Sequence, residues 1–237
     1  MADLFDMVLA GKLLGSGSGG AKTIIDLDVD SYSTGDTTVA NKAVANYTAS
    51  VSTATGSTIG DQVTKVDGGI QLYDNGRITI PFPVNIPGIN YELSITFAVS
   101  AISSLQYTRF LNLAGLDAEC VYDRQNGNCL KFGIPHTSST ITMYSENAVN
   151  EGSHFVRLPS YDTTYLTAND VTIKIEGTSN EIIFYIDDVK IFGVDRSAFN
   201  TNSYVYHDYV NRINIGTFDS NFKSGTFVVK SVVAKIK

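Results

Sequence analysis

DVTIKIEGTSNEIIFYIDDVKIFGV, residues 170–194, decides the fold. In VTIKIEG the apolar residues Val171, Ile173 and Ile175 recur at every second position, the period of a strand with one covered face. In EIIFYIDD the residues Ile183, Tyr185 and Asp187 oppose Ile182, Phe184 and Ile186. TSNE, residues 178–181, has the composition of a tight turn. The stretch therefore reads as a hairpin of two long antiparallel strands over 171–194.

The same reading extends outward in both directions. TIIDLDV, NYTASVS, GIQLY, RITIPF, YELSITFAVSAI, YTRFLNLAG, CLKFGI and TITMYS precede the hairpin, and RINIGTF and GTFVVKSVVAKIK follow it. Clusters of Gly, Asn, Asp and Ser separate them, and helical periodicity is almost absent. About twelve strands joined by turns predict an all-β fold, either an antiparallel two-sheet sandwich or a closed barrel. In the last run Val229 lies opposite Val228, so that strand is expected to be covered on both faces. Pro81, Pro83 and Pro87 mark an irregular or edge segment, because proline cannot complete a hydrogen-bond ladder. Composition agrees with this class. Tyr (13), Phe (12) and Gly (20) are frequent and charged residues make up 17%. The net charge of −7 disfavours nucleic acid and anionic membrane, which call for a basic footprint. No internal repeat is visible.

Residues 3–14 fit a short amphipathic helix with an apolar stripe at Leu4, Met7, Val8 and Leu14 and a carboxylate, Asp3, at its start. A helix this short is marginal alone in water, so it is expected to dock on something. Its large apolar residues, Leu4, Phe5, Met7, Val8, Leu9, Leu13 and Leu14, form the expected assembly anchor. Residues 15–21 read as a Gly/Ser linker and 22–237 as the folded domain. Asp3, Asp6 and Lys12 do not fit a secretory signal, and no apolar stretch is long enough to span a bilayer; folding in a cytoplasm is expected.

Candidate chemistry is sparse. Cys120 and Cys129 flank CVYDRQNGNC. A two-residue turn at Asn126-Gly127 would set Cys129 opposite Arg124, whereas a wider loop would let the thiols meet; two free buried thiols are expected in a cytoplasm. The spacing lacks a second ligand pair for zinc. Asp187 and Asp188 are adjacent, so on a strand they point to opposite faces and do not make an acid/base pair; a turn role suits them. His136, His154 and His207 stand in no nucleophile motif. Calcium is a weak prospect at Asp117, Asp123, Asn126 and Asn128, or at Asp195 and Asp208, because it needs six to eight oxygens from several loops. No other cofactor is expected. Glycan recognition uses aromatic faces and planar polar side chains on loops held by a rigid scaffold. NTNSYVYHDYVNR, residues 200–212, supplies Tyr204, Tyr206, His207, Asp208, Tyr209, Asn211 and Arg212. SYDTTYLTAND, residues 160–170, supplies Tyr161, Asp162, Tyr165 and Asn169. Against both stands the ordinary role of tyrosines at a sandwich edge or subunit contact, and the chain has no Trp.

Three short motifs carry a family resemblance: Tyr185-Ile186-Asp187-Asp188-Val189, Ile213-Asn214-Ile215-Gly216 and Phe222-Lys223-Ser224-Gly225. In that order, with DGGIQLYDNGRITIP and YELSITFAVSAI upstream, the chain from about residue 25 resembles the concanavalin A-like, laminin G-like jelly roll. The resemblance implies a turn at Asp187-Asp188, where Asp188 replaces the family's usual glycine; Asp tolerates the left-handed conformation better than most residues. Glucanases of that fold carry Glu-x-Asp-x-x-Glu on one strand, and no such run occurs here. The opening residues 1–20 resemble those of minor virion proteins of phages and prophages. Together the resemblances imply a non-enzymatic virion structural protein, a fibre or decoration, held to other virion proteins by its N-terminus. Such a protein would be a homo-oligomer and would display its sandwich to surface polysaccharide. A purely structural decoration, burying the 200–212 tyrosines between subunits, and a free carbohydrate-binding or hydrolase domain remain alternatives.

Overall fold

The computed structural model describes residues 20–45, 47–53, 56–81, 90–101, 108–114, 129–134, 140–146, 154–178, 180–195, 212–216 and 225–237; over 108–163 the description is of the backbone. The anchor at 1–14, most of the linker, the stretch 200–211, Cys120, His136, Asp117, Asp123, Asn126 and Asn128, Pro83 and Pro87 lie outside the described residues.

Two antiparallel sheets of eight strands each form a sandwich. Strands are numbered along the chain. The first sheet runs β14 (Val189–Asp195), β13 (Glu181–Ile186), β12 (Asp170–Gly177), β7 (Tyr91–Ala101), β16 (Thr226–Ile236), β5 (Gly69–Leu72) and β4 (Val63–Val66). β1 (Lys22–Asp26) lies beside the far half of β16. The second sheet runs β11 (His154–Asp162), β10 (Thr140–Glu146), β9 (Cys129–Ile134), β8 (Thr108–Ala114), β15 (Arg212–Gly216), β6 (Gly76–Pro81), β3 (Ala49–Thr53) and β2 (Thr38–Val39). Among the described residues two short helices interrupt the strands, α1 (Ile59–Gln62) and α2 (Thr163–Ala168). The all-β sandwich expected from the alternation is present. β15 and β16, the last two strands in the chain, occupy the middles of the second and first sheets respectively.

Alternation explains the core. Along β7, Tyr91, Leu93, Ile95, Phe97 and Val99 are buried while Glu92, Ser94, Thr96 and Ala98 are half-exposed. The buried faces of β5, β12, β13 and β16 join them, and Val51, Ile78, Ile80, Ile213 and Ile215 of the second sheet complete one cluster. Each fully buried aliphatic or aromatic side chain contributes about 1.5–3 kcal/mol. Phe97 and Phe227 meet edge to face at 6.1 Å. Burial of Tyr32, whose hydroxyl donates to the Val63 carbonyl at 3.2 Å, raises its pKa.

Four expectations are corrected. First, EIIFYIDDVKIFGV is two strands and not one, divided at the Asp187-Asp188 turn that the jelly-roll resemblance implied. Asp187 (φ 48°) and Asp188 (φ 63°) form a two-residue hairpin turn with both central residues left-handed, pairing Ile186 with Val189. That turn, together with β2, β4 and β11, raises the strand count above the expected twelve. Second, β16 buries one face at a time. Phe227 and Val229 point inward, a register shift follows between Val229 and Ser231, and Val232, Ala234 and Ile236 point inward beyond it. Third, β6 is an interior strand, and Pro81 ends it past the last pairing with β3, Thr79 with Ser50. Fourth, Cys129 stands opposite Ala114 on one side and Glu146 on the other, so it does not pair with Arg124.

Candidate functional site

The middle of the second sheet holds an anomaly. On β15, Ile213 and Ile215 face the core, so strand alternation turns Asn214 to the outer face. There Asn214 is 1% exposed, and neither its Nδ2 nor its Oδ1 has a hydrogen-bond partner. Unsatisfied buried polar atoms cost about 1–3 kcal/mol each. Asn41 shows the contrasting arrangement of a buried structural amide. Its Nδ2 donates to the Ile24 carbonyl at 3.1 Å and its Oδ1 accepts from the N–H groups of Asp26 and Ala43 at 2.9 and 3.1 Å. Asn41 ties loop to strand; Asn214 ties nothing.

The register extends Asn214 into a row crossing the whole sheet. Thr38, Ser50, Thr79, Asn214, Asn112, Lys131, Tyr144 and Phe155 occupy successive register positions from β2 to β11. Hydroxyl and amide residues fill the row from Thr38 to Asn112, Lys131 follows, and the aromatic positions Tyr144 and Phe155 end it on the β10–β11 side. Beside it on β6, the Arg77 Nε donates to Ser52 Oγ at 2.8 Å. Gly216, at the end of β15, has φ +91°, and a Cβ there would stand 2.2 Å from the Gly76 carbonyl oxygen; glycine lets β15 close against β6.

The outer face of the first sheet is charged and internally satisfied. Lys237 donates to Glu92 at 2.7 Å and to Glu176 at 2.9 Å, and Tyr185 Oη donates to Glu176 Oε2 at 2.9 Å. Lys174 pairs with Asp188 at 2.8 Å and lies over the Tyr185 ring, 4.3 Å from its centroid. The hydrogen bond from Lys237 holds the Glu176 carboxyl below its ordinary range, the opposite of what a general acid requires. Hydrogen bonding to Asp188 raises Lys174, hydrogen bonding to Glu92 raises Lys237, and burial raises Tyr185. Among the described residues no group of three or more His, Cys, Asp or Glu side chains gathers for a metal.

The candidates from sequence divide accordingly. Of the 200–212 set, Tyr204, Tyr206, His207, Asp208, Tyr209 and Asn211 lie outside the described residues; Arg212 opens β15, two positions before Asn214. Tyr165 falls on α2 and has a structural role: its hydroxyl donates to Asp187 Oδ2 while its ring packs against the core. Asn169 Nδ2 donates to the Tyr165 carbonyl at 2.9 Å, closing that helix. Asp187 also accepts the Thr172 N–H at 2.7 Å, so the carboxylate pair serves the turn. Asn214 itself appeared in the sequence only within the Ile-Asn-Ile-Gly motif. An Asn in the middle of an apolar strand was the available signal.

No protein-family model and no curated protein matches the sequence. Solved structures share its fold. Domain 4 of an extracellular arabinanase from Geobacillus stearothermophilus, in complex with arabinotriose, matches with a TM-score of 0.59 at 10% identity over 92% of this chain and 94% of its own. Trypanosoma rangeli sialidase in complex with sialic acid matches with a TM-score of 0.62 at 11% identity over 88% of this chain. The binding domain of botulinum neurotoxin DC matches with a TM-score of 0.57 at 12% identity over 90%. This chain spans 30% of the sialidase and 48% of the neurotoxin fragment. At such identities the likeness is one of fold.

Proposed function

We propose that this sandwich is a non-enzymatic carbohydrate-binding module whose site is the outer row of the second sheet. The orphaned, buried Asn214 amide carries the reading: a donor and an acceptor without partners lie in a row of hydroxyl, amide and aromatic positions, and a sugar hydroxyl reaching that depth would satisfy both. Sugars are recognised by planar polar groups together with aromatic side chains. Fold neighbours solved with arabinotriose and sialic acid support the reading. The pairing of Glu176 with Lys237 and Tyr185, which keeps that carboxylate charged, supports the non-enzymatic part of the reading.

The test is an array of glycans probed with the full chain, followed by calorimetry on the best ligand and chromatography of that ligand after incubation. Retention of a glycan that is recovered intact is expected. No retention on any glycan overturns the reading in favour of a purely structural decoration, and cleavage overturns its non-enzymatic part. Display from a virion through residues 1–14, in oligomers that gain from multivalent contact, extends the proposal on sequence grounds. Deleting residues 1–21 and scoring particle incorporation separately from glycan binding tests that extension.

A further inference from the structure

We infer that the second sheet recognises an anionic group, carboxylate or sulfate, on its glycan; this rests on the carbohydrate-binding reading and specifies its ligand class. The chain carries a net charge of −7, yet the charge is unevenly laid out. The strands of the second sheet hold five basic residues, Arg77, Arg109, Lys131, Arg157 and Arg212, against two acidic ones, Glu146 and Asp162. The first sheet's strands balance six lysines against six carboxylates and contain no arginine. Several of those lysines are in ion pairs on their own sheet: Lys174 with Asp188 at 2.8 Å, Lys230 with Asp170 at 2.6 Å, and Lys235 with Glu92 at 3.7 Å.

The kind of base matters as well as the sign. Four of the chain's six arginines stand on the second sheet. Guanidinium is weakly hydrated and presents two parallel donors that match a carboxylate or sulfate edge, which an ammonium does not. The register gathers these positions around the orphaned amide. Arg212 precedes Asn214 by two residues on the same strand, Arg77 pairs with Gly216 two residues after it, and Lys131 lies in the Asn214 row two strands away. With strands about 4.8 Å apart and about 3.4 Å per residue, all three positions fall within about 10 Å of Asn214. Three basic positions and an unpaired amide share one region of the second sheet in a negatively charged chain. A neutral sugar would use the amide; an acidic one uses both.

The experiment compares matched glycans, each neutral core alone and with a sialyl, uronyl or sulfate group, against the full chain by calorimetry at low and high salt. We expect acidic forms to bind about tenfold tighter or more, as one charge-assisted bond provides, with the gap narrowing in high salt. Arg212→Gln, and independently Arg77→Gln, should each narrow the ratio of acidic to neutral affinity. The sialyl, uronyl and sulfate arms identify the anion. Asn214→Leu should lose binding to both forms while melting no lower than the parent, since it removes the unsatisfied atoms. Equal affinity for neutral and acidic forms, unchanged by both arginine variants, overturns the anionic inference and leaves the carbohydrate reading intact. Binding to no glycan overturns the carbohydrate reading itself. Full binding by a folded Asn214→Leu variant removes Asn214 from the site.

Discussion

Two aspartates in left-handed conformation at the tip of a hairpin, where glycine would be at ease, are held there by their own side chains. Asp187 accepts the Thr172 N–H and the Tyr165 hydroxyl, whereas Asp188, with its side chain 87% exposed, has only Lys174. The two should respond to substitution in opposite directions. Asp187→Ala leaves a strand N–H and a tyrosine without an acceptor and should cost about 1–3 kcal/mol in denaturant unfolding. Asp188→Gly relieves left-handed strain of about 1 kcal/mol while losing an exposed ion pair of smaller value, so its midpoint should hold or rise. Gly216→Ala places a methyl group 2.2 Å from a carbonyl oxygen at an unfavourable φ and should destabilise strongly by the same measurement. The residue scale is also where the sequence was least legible. The two-residue periodicity runs straight through Asp187-Asp188, because the bonds that hold the turn come from Thr172 on β12 and Tyr165 on α2; only the family motif made that turn legible. The isolation of Asn214 is a property of its neighbours across the sheet and no local pattern carries it.

At the scale of elements, long alternating strands were plain and short ones were not. β7 and β12 declare themselves through buried residues at every second position, whereas β2 has two residues and β4 has four, too few to show a period. SYDTTYLTAND looked like a polar aromatic loop, yet residues 163–168 turn once as a helix that lays Tyr165 on the core. The charged face over β7, β12 and β16 makes a pH prediction. Glu176 titrates below its ordinary range in the folded chain, so it contributes stability above its unfolded pKa and loses that contribution as pH falls through the folded value. Melting temperature should decline on acidification below about pH 5, and Glu176→Gln should flatten part of that decline. Lys174 and Lys237 are shifted upward, so their contribution is complete below the ordinary lysine value and disappears as pH rises through the folded one. Lys237→Ala should therefore weaken the fold at neutral pH and blunt the alkaline loss in the same melting series.

At the scale of the molecule, fold class was readable because alternation and turn residues repeat over the whole length. The assignment of strands to sheets was not, because a crossing such as that between β5 and β6 looks like any hairpin until partners are known. The chain alternates between layers and fills both centres last. A chain ending at residue 211 keeps fourteen strands but lacks the one between β8 and β6 and the one between β7 and β5. It should show no cooperative unfolding by near-ultraviolet circular dichroism and rapid cleavage by protease.

The same arrangement bears on how the protein is born. On the ribosome, everything up to residue 211 emerges as two half-finished layers, each with a vacant slot bordered by unpaired backbone. No closed body exists for the quality-control machinery to pass until β15 and β16 have cleared the exit tunnel. Slow codons or a stall just ahead of them would lengthen the one interval in which this chain is most open to capture by its own kind.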